Sequence, residues 1–425
     1  MTRSGPRCRW CSEPLRDTFV DLGKSPLCER YLTAEELDCM EPFYPLHVRV
    51  CRHCWLVQLE AYVPAEEIFT EYAYFSSYSE SWIAHGRAYA QSVINRFGLN
   101  HRSLVVEAAS NDGYLLQHFA ARGIPVLGIE PARNVAAVAL ERGIPTCVEF
   151  LTADLARRLA TEGTRADLLI ANNVLAHVPD LRDFVAGLTH LLAPHGVLTL
   201  EFPHLQRLIE GNQFDTIYHE HFSYFSFTSA VRILSDSGFS VFDVEELSTH
   251  GGSLRVYAQP ADNSSRPVLP AVPTLLEREA RAGVTTLAYY GGFSERVQQT
   301  KRRLLSFLIS ARDAGRHVVG YGAPGKGNTL LNYCGIRSDL LDYTVDRNPY
   351  KQGKFLPGTH IPIHHPGRIA ETRPDFILIL PWNLQDEIVT QLDYVRTWGG
   401  RLAVPIPEPR VLDGLEPVPI PKPTA

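Results

Sequence analysis

Ser103-Leu-Val-Val-Glu107-Ala-Ala-Ser110-Asn111-Asp112-Gly113-Tyr114 decides the fold. A short apolar run ends in an acid, breaks into a small polar turn and opens a helix spanning Leu115 to Arg122. The pattern repeats downstream: Val126-Leu-Gly-Ile-Glu130 is a strand ending in an acid, followed by a helix from Ala132 to Arg142. A third strand ends near Cys147-Val-Glu149-Phe150, and Asp167-Leu-Leu-Ile-Ala171 leads into Asn172-Asn173 and on to His177. A helix from Leu181 to Leu192 precedes Gly196-Val-Leu-Thr-Leu-Glu201-Phe202-Pro203. Strands alternating with helices imply a parallel sheet with ligands at the carboxyl ends of its strands. The first turn lacks G-x-G-x-x-G, so pyrophosphate binding is disfavoured and a nucleoside without one is expected. Glu130 is placed to accept hydrogen bonds from ribose hydroxyls.

A chain of 425 residues needs more than one core. Hydrophobic residues at 45% and charged residues at 21% are ordinary for a core-forming protein, and a net charge of -6 provides no basic field for nucleic acid or anionic lipid. No run of apolar residues is long enough to span a membrane, and the start lacks an apolar leader, so the expected compartment is the cytoplasm.

Cys8-Arg-Trp-Cys11 and Cys51-Arg-His-Cys54 are two C-x-x-C knuckles that can close one tetrahedral thiolate site. The short segment between them cannot bury enough apolar surface alone, so structural zinc is the expected staple. Cys28, Cys39, Cys147 and Cys334 have no motif partners and are expected to be buried thiols. Three tyrosines and two phenylalanines then crowd Ile68 to Tyr78, which reads either as a packed linker or as a flap lending a phenol, such as that of Tyr72, to a site.

Tyr218-His219-Glu220-His221 places a phenol, two imidazoles and a carboxylate at consecutive positions among aromatics. Consecutive side chains cannot all converge on one ion, which favours acid/base chemistry over a metal site. His250-Gly251-Gly252-Ser253-Leu-Arg255 reads as a strand turn or as a substrate contact, with Arg255 pairing to a phosphate.

Beyond Pro260 to Pro273, which reads as a linker, residues 274 to 315 are helical. His317 to Tyr321 is a strand leading into Gly322-Ala-Pro-Gly325-Lys326-Gly327, a glycine-rich turn before a helix from Thr329 to Cys334. Such a turn can expose amides to a phosphate, with Lys326 as a mobile charge. Its spacing is not that of a nucleotide-hydrolysing P-loop.

The acid-ended strands resemble class I S-adenosylmethionine-dependent methyltransferases. The four-cysteine segment, the Glu107 to Leu116 loop, Tyr218-His-Glu-His-Phe and Gly320-Tyr-Gly-Ala-Pro-Gly-Lys together resemble the sugar C-methyltransferases of deoxysugar biosynthesis. The resemblance implies an α/β protein: a zinc-binding domain at 1–70, a Rossmann-like methyltransferase domain at 71–258, helices at 259–315, a second, smaller Rossmann-like domain at 316–415 and a loose tail at 416–425. It implies S-adenosylmethionine bound by Glu107, Ser110, Asn111, Gly113, Glu130, Glu149, Phe150 and Asn172. It implies a nucleotide-linked keto sugar, dTDP- or another NDP-sugar, methylated at C3, with the second Rossmann-like domain contributing to its binding; His250, Gly252, Arg255, Tyr321 and Lys326 are the candidate contacts read from the residues. His221 is the expected carbon base, Glu220 orients it or binds a hydroxyl, Tyr218 and Tyr72 are donors to the enolate oxygen, and His177 assists proton transfer. No role is carried over for His219. An O- or N-methyltransferase, or a scaffold that merely retains zinc and S-adenosylmethionine, are the competing readings; a monomer is compatible with all three.

Overall fold

The computed structural model describes residues 5–69, 75–263 and 265–412. Tyr72 and the 416–425 tail lie outside the described residues.

The N-terminal segment forms β1 (Asp17–Ser25), β2 (Tyr44–Val50) and β3 (Val57–Leu59), paired antiparallel in that order. The central domain begins with the helix Glu80–Phe97, capped by the Ser79 hydroxyl and ended by Gly98 in the left-handed region. Its sheet contains β4 (Val105–Ala108), β5 (Val126–Ile129), β6 (Thr146–Cys147), β7 (Ala166–Asn172) and β8 (Leu192–Pro203), all parallel. A two-residue strand, β9 (Ser223–Tyr224), leaves this domain and pairs with β3, extending the N-terminal sheet to four strands. Two antiparallel strands, β10 (Phe239–Leu247) and β11 (Ser253–Pro260), finish the central sheet in the order β10-β11-β8-β7-β4-β5-β6. All four residues of β4 are buried, and Leu168-Leu-Ile-Ala171 of β7 is a continuous buried apolar run, which matches a sheet covered on both faces. The strand order reverses at β4, between β5 and β7, which puts a ligand crevice above those three carboxyl ends.

The expected linker is shorter than its composition suggests: β11 takes Pro260, and a helix begins at Ala271 with Pro273 in its first turn, where the missing amide costs nothing. The expected helical stretch is three helices, Ala271–Ala282, Leu287–Gly291 and Phe293–Asp313, the first ended by Gly283 at φ +86. A third sheet is built from β12 (Val318–Tyr321), β13 (Thr344–Val345), β14 (Ile363–His364), β15 (Phe376–Ile379), β16 (Arg401–Val404) and β17 (Arg410–Val411). Four of these pairings are parallel and only β17 is antiparallel.

The helix after β12 starts at Gly325, not Thr329. Gly325 is needed for packing, because a Cβ there would lie 2.8 Å from Cys28 Sγ. The amide of Ala323 is already taken by the Asp346 carboxylate at 2.7 Å. Close packing on Cys28 thus accounts for Gly325, and the Asp346 carboxylate for the Ala323 amide. Among the described residues, no helix is long and apolar enough to cross a membrane.

Candidate active site

The two cysteine knuckles converge on one point. Cys8, Cys11, Cys51 and Cys54 place their sulfurs within 4.8 Å of one another, with Cys8–Cys54 at 3.5 Å and Cys11–Cys51 at 3.4 Å. A tetrahedral zinc with bonds near 2.3 Å needs sulfurs about 3.8 Å apart, so the set fits that ion and leaves no position for a substrate. Each knuckle closes with an amide bonded back to its first cysteine, Ser12 to Cys8 and Trp55 to Cys51, both at 2.9 Å. Gln58 donates to Cys8 Sγ at 3.2 Å and steadies the thiolate charge. Of the other thiols, Cys28 and Cys334 are buried as expected. Cys39 is exposed and Cys147 half-buried, because neither falls on the inward face of an element.

The crevice above β4, β5 and β7 carries the expected nucleoside-binding residues. Glu130 accepts the amides of Asn111 and Ala132, each at 2.9 Å, which fixes the turn and leaves further lone pairs on its oxygens. Glu107 Oε2, Ser110 Oγ and Asn172 Oδ1 are buried without partners, as expected of a site whose ligand would complete them. Burial pushes the carboxyls of Glu107 and Glu130 upward, and the charge of Glu130 adds to the rise at Glu107. Gly113 takes φ +77 in the turn. Glu149 and Phe150 lie just past β6 at the rim, Glu149 exposed and paired with Arg158. Sequence reasoning passed over Asp112, which is buried against Arg142 at 3.3 Å and accepts the Ser77 amide at 3.3 Å. Beside it, the Ser76 amide donates to Asn111 Oδ1 at 2.8 Å, so the segment after residue 74 lies over the turn.

The Tyr218–His221 tetrad is held from two sides. The Phe222 amide donates to the carbonyl of Ala176 at 2.7 Å, and its carbonyl accepts from Leu59 of β3 at 3.0 Å. This brings His177 and His221 to 4.7 Å between ring centroids, with Tyr218 4.0 Å from His221. His221 Nδ1 is 2.8 Å from the Thr216 carbonyl, and a carbonyl only accepts, so Nδ1 carries the proton and Nε2 keeps its lone pair. Burial, with His177 and Lys326 nearby, holds His221 well below the ordinary histidine value. Burial likewise takes His177 and His250 down to about 4. All three imidazoles are neutral at neutral pH. Burial holds Tyr218 protonated, helped by the charge of Glu220. Tyr218, His221, His177, His250 and Lys326 are enclosed by protein yet retain accessible surface, which marks them as walls of one cleft.

Other expected contacts are assigned differently. Glu220 accepts from the Cys28 thiol at 3.5 Å, so an N-terminal residue meets the tetrad. Arg255 is engaged by Glu201 and Glu245, both at 3.0 Å, and by His85 at 3.2 Å; a phosphate would have to compete with two carboxylates for its guanidinium. Burial raises Glu201, but bonds and charges from His85 and Arg255 outweigh it and hold the carboxyl below its usual range. Tyr321 points into the core of the C-terminal sheet and donates to Gln391 at 2.9 Å, away from the cleft. The Gly252 carbonyl accepts the His204 amide at 3.0 Å, and His250, at φ +52, packs 5.0 Å from Trp82. The Lys326 ammonium, expected to be a free charge, donates to Asn383 at 2.6 Å. Glu201 ends its parallel strand as Glu107 does, the signal that could have marked it; nothing local announces Trp82, His85 or Trp382.

Three family models match in order: a zinc binding domain over residues 8–69, a "Methyltransferase domain" over 82–244 and a "C-methyltransferase C-terminal domain" over 248–407. "C-methyltransferase NovU" of Streptomyces niveus is 38% identical over 412 residues, covering 97% of this chain and 98% of that protein. Among solved structures, a magnesium protoporphyrin IX methyltransferase from Synechocystis with bound SAM is 20% identical over 42% of this chain and 81% of its own, at a TM-score of 0.32. A Pyrococcus horikoshii protein is 15% identical over 46% of this chain and 97% of its own, at 0.36.

Proposed function

This chain belongs to the C-methyltransferase family, and we propose that the carbon it methylates lies next to the ketone of a nucleotide-linked 4-keto deoxysugar, at C3. The enzyme is an S-adenosylmethionine-dependent C-methyltransferase with an N-terminal zinc-binding domain. When bound, S-adenosylmethionine supplies an electrophilic methyl group on a sulfonium and leaves as the neutral sulfide. Glu130 would hold the ribose, and the Ser110–Gly113 turn with Asn172 would complete the nucleoside cradle.

A carbon next to a ketone is a weak acid, so the chain must provide a base and a group that meets the negative oxygen. His221 is the base: Nε2 takes the ring proton, and the C–H electron pair passes into the enolate whose carbon then bonds the methyl group. The proton on His221 leaves to solvent. Tyr218 is the protonated phenol beside it and donates to the enolate oxygen, and Tyr72 is assigned the same task. His177, 4.7 Å from His221, passes the proton outward. Glu220 binds a sugar hydroxyl or orients the tetrad. Eight cysteines without a disulfide suit the reducing cytoplasm.

The observation that carries this reading is the Thr216 carbonyl on His221 Nδ1, which frees Nε2 in a neutral, enclosed imidazole. His221→Asn is expected to abolish turnover with S-adenosylmethionine affinity near that of the native enzyme. Full activity in that variant rules out the base.

A further inference from the structure

Lys326 lies in the first turn of the helix Gly325–Cys334 and forms part of the cleft wall. Its ammonium donates to Asn383 Oδ1 at 2.6 Å and lies 5.0 Å from the centroid of the Trp382 ring. Among the described residues, Nζ meets no other acceptor and no carboxylate within ion-pair distance, so two of its three N–H bonds remain for the cleft. Trp382 turns its own Nε1–H to Asp215 Oδ2 at 2.7 Å, and Asp215 Oδ1 is buried with no partner. Asp215 balances the lysine charge without touching it.

Two contacts fix this lysine relative to the reacting groups. Thr329, one turn further along the same helix, donates its hydroxyl to the carbonyl of Ile217 at 3.0 Å, and Ile217 precedes Tyr218. On the other side Gly251, next to His250, approaches Trp382 so closely that a Cβ would lie 2.7 Å from the ring. Lys326 is therefore bracketed by the tetrad and the His250 turn, and its charge helps depress both imidazoles. An enclosed cation with no contacting counter-ion is costly to fold, and its free N–H bonds suit an anionic oxygen.

We propose that Lys326 is a further catalytic residue, which holds the oxygen anion formed when His221 removes the ring proton. This rests on the carbon-acid reading of the proposed function. The other anionic oxygen a nucleotide sugar offers is its diphosphate. The position between the tetrad and the His250 turn favours the enolate.

The test compares Lys326→Met and Lys326→Arg with the native enzyme, using a nucleotide-linked 4-keto-6-deoxy sugar as probe. Exchange of the ring hydrogen with D2O at saturating substrate should fall about 100-fold in Lys326→Met and recover in part in Lys326→Arg. The affinity for the bare nucleoside diphosphate should be unchanged. A raised KM and weakened diphosphate binding with unchanged exchange at saturation would assign the lysine to phosphate and overturn the proposal. A second readout needs no sugar: histidine NMR of the S-adenosylhomocysteine complex should show His221 titrating at higher pH in Lys326→Met. An unmoved His221 also overturns it. If the native enzyme exchanges no hydrogen, the carbon-acid reading fails, and the His221 titration still decides whether Lys326 faces the base.

Discussion

His219 Nε2 lies 3.2 Å from the carbonyl of Pro45 and 3.3 Å from that of Tyr44, so the ring donates its proton to the start of β2. The member of the tetrad with no expected chemistry is the one that bolts the reactive loop to the zinc-bearing sheet. Pairing of β9 with β3 continues the same attachment, as does the Arg9 guanidinium 5.5 Å from the Phe222 ring.

His219→Ala should destabilise the protein by about 1–3 kcal/mol, because it removes the donor shared by two carbonyls at a buried position. Denaturant unfolding measures this. The same variant should lower kcat while S-adenosylmethionine affinity stays near normal, since Glu130 and its turn are on a different sheet. Unaltered stability and kcat would show that His219 bolts nothing.

Zinc removal should act on the tetrad in the same way. Atomic absorption is expected to find one zinc per chain, and Cys51→Ser to lose it. The metal-free protein should lose turnover before it loses S-adenosylmethionine binding, because β3 and the Cys28 loop carry the contacts to Phe222 and Glu220. Simultaneous loss of both would mean that the zinc domain supports the whole fold.

The buried imidazoles set two pH responses. His221 must be neutral to act as a base, and its depressed titration puts the acid limb of kcat/KM below about pH 6.5. For stability, His177 and His250 titrate near 4 when folded, below their unfolded value of about 6.5. The unfolded chain therefore binds more protons as pH falls between those limits. The contribution of these two histidines is constant above about 6.5 and drops toward pH 4 by up to about 3 kcal/mol each, while the raised carboxyls of Glu107 and Glu130 act in the opposite sense. Unfolding of the native protein and of His177→Asn at pH 7 and pH 4.5 isolates one histidine's share and checks its sign.

Arg255→Met should cost about 3–5 kcal/mol, because it leaves the fully buried Glu201 carboxylate with one cationic partner fewer. If Arg255 instead serves a substrate phosphate, the variant should raise KM with little change in unfolding.

The three-part organisation was legible because its signals are local. Glu107 and Glu130 end apolar strands, and two C-x-x-C knuckles announce a thiolate site at their own spacing. The loop that carries the proposed base was legible too, since four reactive side chains in a row need a reason. What escaped depends on contacts between distant segments. Ser223–Tyr224 is too short to read as a strand and exists only because β3 lies beside it. Arg255 carries the same fork whether it meets a phosphate or, as here, Glu201 and Glu245. The glycines around Lys326 read as a phosphate turn, but the close approach of Cys28 to Gly325 explains one of them, and that neighbour is some three hundred positions away in the chain.

The most direct measurement of the central claim is hydrogen exchange at the carbon beside the ketone, read by mass spectrometry in D2O without S-adenosylmethionine. The native enzyme should wash deuterium into a nucleotide-linked 4-keto sugar, and His221→Asn should not. Exchange that persists in His221→Asn, or its absence in a native enzyme that still methylates the sugar, would contradict His221 as the carbon base.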